Sequence, residues 1–212
     1  MTYNNLNRQS LMCAFFLVLT ASGQAELQTY KITPAPTGKM ELTVVKTGLM
    51  SGKKHLFTFE QYDGILMFDR LHPNESRIRF SIDARSAACH DSWVSAKDLR
   101  KIHEFALNDM LATGKFEKIV FASTSVKSIG GGQYEVTGDL TIRAVSKPAT
   151  VLLTMAEKPD GLVFEGTSHI KLTDYGLKPP TAALGAVGTK NEISLSFAFT
   201  ASGTAKHLAS VR

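Results

Sequence analysis

The feature that most constrains this chain is an alternation of period two. In "YEVTGDLTIRAVSKPATVLLTM", which begins at Tyr134, residues Tyr134, Val136, Gly138, Leu140 and Ile142 fall on one side of an extended backbone. Glu135, Thr137, Asp139, Thr141 and Arg143 fall on the other. Successive side chains of a strand point to opposite faces, so the pattern specifies a β-strand with one apolar face. It resumes after Ser146-Lys147-Pro148 and recurs along the chain. "KMELTVV" puts Met40, Leu42 and Val44 on one face, and "RIRFSIDA" sets Ile78, Phe80, Ile82 and Ala84 against Arg77, Arg79, Ser81 and Asp83. "HLFTFEQY" and "GILMFD" are apolar and aromatic, with a break expected at Asp63-Gly64. "EKIVFASTSV", "LVFEGTSHIKL" and "EISLSFAF" complete the set.

The joints between these segments are short. Gly130-Gly131-Gly132 supplies the positive φ values that tight hairpins need, and Lys158-Pro159-Asp160-Gly161 carries turn residues at its centre. Ser146-Lys147-Pro148 reads as a third connection. Joints this short leave no room for parallel crossovers, so the four strands from Ile119 to Leu172 read as an antiparallel meander. One helix interrupts the strands. Ser95 caps it, Asp98 follows at the capping-box spacing, and Leu99, Ile102, Ala106 and Met110 form a stripe suited to packing on a barrel or over its end. Gly114 suits the residue just past its end.

Eight to ten strands and one helix predict an all-β fold, an antiparallel sheet closed into a barrel with one inserted α-helix; closure removes exposed edges. Gly64, Gly138 and Gly166 fit sharp bends in such a wall. A two-sheet sandwich fits the same pattern. An eight-stranded barrel is just wide enough to be filled by side chains or to hold one small ligand, and periodicity does not choose between the two.

The first 25 residues read as a secretory signal peptide, leaving residues 26–212 as a single domain. Arg8 precedes the apolar run Leu11 to Leu19, and "TASGQA" follows. That run is shorter than the roughly 20 residues a membrane helix needs, and no later stretch is longer. The expectation is therefore a soluble, exported protein, periplasmic or secreted, with no transmembrane span. Without the leader, 23 Lys plus Arg face 19 Asp plus Glu. This balance is too mild and too scattered for a nucleic-acid partner. Cys13 leaves with the leader, so Cys89 has no partner for an intramolecular disulfide, and it reads as a small buried hydrophobe.

Catalytic patterns are missing. His55, His72, His90, His103, His169 and His207 show no metal-ligand spacing, and Gly130-Gly131-Gly132 precedes no helix. Cys89-His90-Asp91 offers a thiol beside a base, but neighbours on a strand face opposite sides. The expectation is a binding protein with no catalytic residues, no bound metal and no covalent cofactor. The competing readings are an enzyme or redox accessory, using Cys89 or a histidine, and a barrel with no ligand.

The segment "YEVTGDLTIRAVSKPATVLL" resembles the "TGDLTIHGVTKPV" hallmark of the YceI-like family, with Arg143 and Ala144 where His and Gly are usual. "FEKIVFASTSV", "LTDYGLKPP" and "GTKNEISLSFAF" resemble further family segments. "TGLMSGKKHLFTFEQYDGILMFD" resembles the early strand pair, with His55 at the family's histidine. The resemblance covers about residues 38 to 201. The helical block "WVSAKDLRKIHEFALNDMLATGKF" departs from the family's usual one. The resemblance implies a lipocalin-like antiparallel β-barrel that binds a long polyisoprenoid, of the quinone or isoprenoid phosphate type, inside an apolar cavity. It tips the choice between filled core and cavity towards a cavity. The wall residues it then points to are Phe80, Ile82, Phe121, Leu140, Ile142, Val151, Leu153, Leu195 and Phe197. A homodimer is among the assemblies it allows.

Overall fold

The computed structural model describes residues 27–159 and 161–203. The leader reading and the cleavage site near Ala25 lie outside the described residues. Within them, thirteen strands form one continuous antiparallel sheet, interrupted in the chain by a single α-helix. In chain order these are β1 (Gln28–Ile32), β2 (Lys39–Gly48), β3 (Lys54–Phe59), β4 (Tyr62–Phe68), β5 (Arg77–Asp83) and β6 (Ala87–Cys89). Helix α1 (Ala96–Phe105) follows, then β7 (Lys118–Gly130), β8 (Gln133–Ile142), β9 (Val145–Lys158) and β10 (Gly161–Lys171). Short β11 (Thr181–Ala182) and β12 (Val187–Thr189) precede the closing β13 (Glu192–Gly203).

The barrel closes in the order β1-β4-β5-β7-β8-β9-β10-β13, with β1 pairing back onto β13. The expected meander is β7-β8-β9-β10, each strand paired with the next. Strand β13 is shared. Its end pairs β1, through Ile32 opposite Ala201, while its earlier half pairs β2 from Ser194 opposite Thr43 to Ala198 opposite Lys39. Strand β3 leads into β4 across Glu60-Gln61, and β5 leads into β6 across the 3-10 turn Ala84–Ser86. One end of the barrel is thus walled by β13-β1-β4-β5 and the other by β13-β2-β3-β6. At the second end β6 and β7 do not pair, and the chain between them is α1 with the turn after it.

Four local expectations need correction. The β8–β9 turn is Arg143-Ala144, with Arg143 at a φ of 51°; Ser146-Lys147-Pro148 lies inside β9, opposite Asp139 to Thr141. Pro148 is tolerated there because β10 joins β9 only from Val151 onward, so its missing N–H interrupts no ladder on that side. Asp63 and Gly64 sit within β4, and the chain breaks instead at Glu60-Gln61. Gly114 is not the left-handed residue after the helix. Ala112 is, with a φ of 50°, following a π-helical turn over Ala106–Met110. Finally, the wall glycines act less as bends than as seats for rings. A Cβ on Gly64 would come within 2.8 Å of Phe80, one on Gly138 within 2.6 Å of Phe121, and one on Gly166 within 2.5 Å of Phe197. Each glycine lets an aromatic side chain of the adjacent strand sit where a Cβ would otherwise be.

The helix starts as expected. Ser95 Oγ accepts from Asp98 N at 3.1 Å and donates to the Asp98 carboxylate at 2.8 Å, which satisfies one of the orphan donors of the first turn.

Candidate functional site: an apolar cavity inside the barrel

The inward faces of the strands enclose a cavity of about 410 Å³, within the range of small-ligand sites. Its wall follows from the alternation. Met40, Leu42 and Val44 of β2, Leu140 and Ile142 of β8, Val151 and Leu153 of β9, and Ile193, Leu195, Phe197 and Phe199 of β13 all face it. The structure places all nine residues named from the sequence on this wall: Phe80, Ile82, Phe121, Leu140, Ile142, Val151, Leu153, Leu195 and Phe197. Phe121 of β7 points inward among them.

The two ends of the cavity differ. At one, Phe80 of β5 meets Phe199 of β13 across the interior, with ring centroids 5.0 Å apart. Phe199 also packs on Tyr62, Phe164 and Phe197 at 4.8, 5.8 and 5.0 Å. Beyond these rings Ile32, Leu162 and Ala201 are fully buried, so this end is sealed. At the other end, α1 and the turn after it supply Ile102, Phe105, Ala106 and Met110 to the lining. Phe105 lines the cavity yet is 42% exposed, and Lys101, Thr181 and Ala182 are also exposed lining residues. Residues that face both cavity and solvent mark its mouth.

Polar groups enter the wall near this mouth. The face that carries Met40, Leu42 and Val44 inward continues to Lys46, and β3 contributes His55 opposite Val44. Both are buried. Burial lowers the pKa of Lys46 from its ordinary value. Behind His55 lies a cluster that the sequence did not reveal. His55 Nδ1 donates to Asp91 Oδ2, and Asp91 Oδ1 accepts from Leu56 N at 2.9 Å. Trp93 stacks on the His55 ring at 5.2 Å. Cys89 completes the group: ligating atoms of His55, Cys89 and Asp91 lie within 4.8 Å of one another, all three buried. A thiol, an imidazole and a carboxylate are the donor types that thiophilic divalent cations take. The hydrogen bonds also give the group a complete structural explanation without a metal. Burial, chiefly, pushes the Cys89 thiol up to about 11 and keeps it protonated.

Cys89 and its sequence neighbour His90 do not form a site together, as the strand alternation implies. His90 does turn the other way, its Nε2 bonded to Thr58 Oγ1 at 2.8 Å on the exposed face. The pairing of Phe57 with Cys89 instead brings in His55 from β3, remote in sequence but adjacent in the sheet. Lys46 had a usable signal, since the alternation through Val44 extends two residues to it.

Comparison with known proteins places this architecture. The family profile described as the YceI-like domain matches residues 30–201. A UPF0312 protein of Pseudomonas putida strain F1 is 32% identical over 170 residues, covering 77% of this chain and 84% of that protein. A UPF0312 protein of Pseudomonas savastanoi pv. phaseolicola is 34% identical over 133 residues, and there the match covers 58% of this chain and 64% of the relative's length. Among solved structures, Burkholderia cenocepacia BcnA superposes with a TM-score of 0.60 at 20% identity, covering 76% of this chain and 94% of BcnA. The Campylobacter jejuni YCEI protein does so with a TM-score of 0.54 at 18% identity, covering 71% and 85%. At these identities the structures speak to the fold.

Proposed function

The chain belongs to the YceI-like domain family, and we propose that it is an exported carrier that holds a long polyisoprenoid chain, of the quinone or isoprenoid phosphate type, inside its barrel. The observation that carries this reading is the cavity: about 410 Å³, walled by aliphatic and aromatic side chains, sealed at the ring cluster and open at α1. A prenyl chain is nearly all hydrocarbon, and its burial yields about 25 cal/mol for each Å² removed from water. Burial against the apolar wall therefore supplies affinity without any reacting group. Carriage, storage and protection of such a lipid all use the same site. Export rests on the sequence pattern of residues 1–25. N-terminal sequencing of protein from cells should start near Glu26, whereas a retained Met1 would contradict it.

Organic extraction of the purified protein followed by mass spectrometry tests the binding reading. Near-stoichiometric prenyl lipid supports it. An empty protein that also fails to bind added prenyl lipid overturns it in favour of a barrel without ligand. Chemical conversion of the added lipid would instead favour an enzyme.

A further inference from the structure

The cavity wall carries a cation with no counter-ion. Lys46 is 9% exposed and lies on the inward face of β2 among Met40, Leu42 and Val44. Among the described residues, its side chain has no hydrogen bond and no ion pair. Three other polar side chains of the lining have partners. Ser168 Oγ donates to Thr150 O at 2.7 Å, Thr189 Oγ1 donates to Pro180 O at 3.2 Å, and His55 is bonded to Asp91. Among the described residues none of the lining is acidic, and Asp91 stands behind His55, outside the lining. A second lysine, Lys101, sits on the rim with its side chain 65% exposed and 3.7 Å from Asp98.

A buried charge is costly unless something compensates it. The strand face itself could hold an apolar residue here at no cost to the alternation. Resting on the carrier reading above, we propose that Lys46 is an anion-binding residue inside the cavity, and that the ligand is an amphiphile whose apolar chain ends in an oxyanion, a phosphate or a carboxylate. The chain lies against Leu42, Val151 and Phe197, and the head group stops at Lys46 beside the mouth. An ammonium donating to an oxyanion forms a charge-assisted hydrogen bond, strengthened by the apolar surroundings. A quinone or alcohol head offers only a neutral acceptor and leaves the positive charge uncompensated. Lys101 at the rim adds a screened, longer-range attraction during entry.

The test compares three ligands with one shared chain: geranylgeranyl monophosphate, geranylgeranic acid and geranylgeraniol. Each is titrated into the delipidated full chain and into Lys46→Met, which keeps the length and removes the charge. The wild type is expected to bind at least one of the acids about ten- to a hundredfold more tightly than the alcohol; the tighter acid identifies phosphate or carboxylate as the preferred head. Lys46→Met should lose that preference, bind the alcohol at least as well, and melt no lower than the wild type without ligand. Equal affinities in the wild type, or a preference that survives Lys46→Met, would overturn the proposal and leave Lys46 as a lysine reaching for solvent, with the carrier reading intact. Failure of all three ligands to bind the wild type would overturn the carrier reading, and this proposal with it.

Discussion

The two ends of this barrel are built from the same alternating strands and differ in what the inward positions carry. At the sealed end those positions are rings: Tyr62, Phe80, Phe164, Phe197 and Phe199 meet at centroid distances of 4.8 to 6.4 Å. At the open end they are Leu42, Val44, Val151 and Ile193, then Lys46 and His55. Eight strands can close either way, so side-chain volume decides which half is a core and which a cavity. Wall connectivity reinforces the difference. The sealed end is strand throughout, whereas at the open end the stretch between β6 and β7 is helical.

The comparison breaks most visibly at its centre. Phe199 packs on four other rings. Phe199→Ala should destabilise the protein by about 3–5 kcal/mol, because it deletes a buried aromatic and its contacts with all four of these rings. A thermal melt near wild type would mean that the sealed end is not a packed core.

Next in size is Gly138→Ala. The new Cβ would meet Ala122 O at 2.4 Å and Phe121 Cζ at 2.6 Å, so ring and strand must both shift. The expected cost is about 1–3 kcal/mol by denaturant unfolding. Gly52→Ala is the contrasting control, since a Cβ there meets nothing within 4 Å. It is strained only by its φ of +87°. A cost for Gly138→Ala no larger than for Gly52→Ala would refute the ring-seat explanation.

The open end makes a smaller, pH-dependent contribution. Folding raises the Cys89 thiol from 9.0 to about 11, chiefly by burial. In the unfolded chain it ionises at its ordinary value, so the unfolded state binds fewer protons across that window. Stability from this group is complete below pH 9 and falls as pH rises from 9 towards 11, by at most about 1.4 kcal/mol per unit of difference. Cys89→Ser should decline less steeply than wild type over this range. It should also keep lipid binding, because Cys89 is not part of the lining. Identical slopes would show that the thiol ionises as readily in the fold as out of it.

Much of this was legible in the sequence, for a physical reason. Strand faces are local: the alternation around Leu140 and Ile142 fixed which side chains share a side before any pairing was known. What escaped depends on pairing. The wall glycines read as bends because the rings that need them, Phe80, Phe121 and Phe197, belong to neighbouring strands. Pro148 read as a turn because its tolerance depends on where β10 begins. Strand β1 escaped because its five residues, QTYKI, are too few to show a period. The His55–Asp91–Cys89 group joins β3 to the residues around the end of β6, and neighbour-by-neighbour reading could not assemble it.

Val151→Phe tests most directly whether the half of the barrel around Val151 is a ligand cavity and not a second core. Val151 lines the cavity from β9, opposite Val136. In a packed interior the added bulk would force strain of about 1–3 kcal/mol. In a cavity it occupies ligand space at little cost. Melting temperature and prenyl-lipid affinity should be measured on the same preparation. The expected result is a melting temperature close to wild type with clearly weaker binding of a long prenyl chain. A strongly destabilised variant, or a stable one that binds normally, would contradict a ligand cavity there.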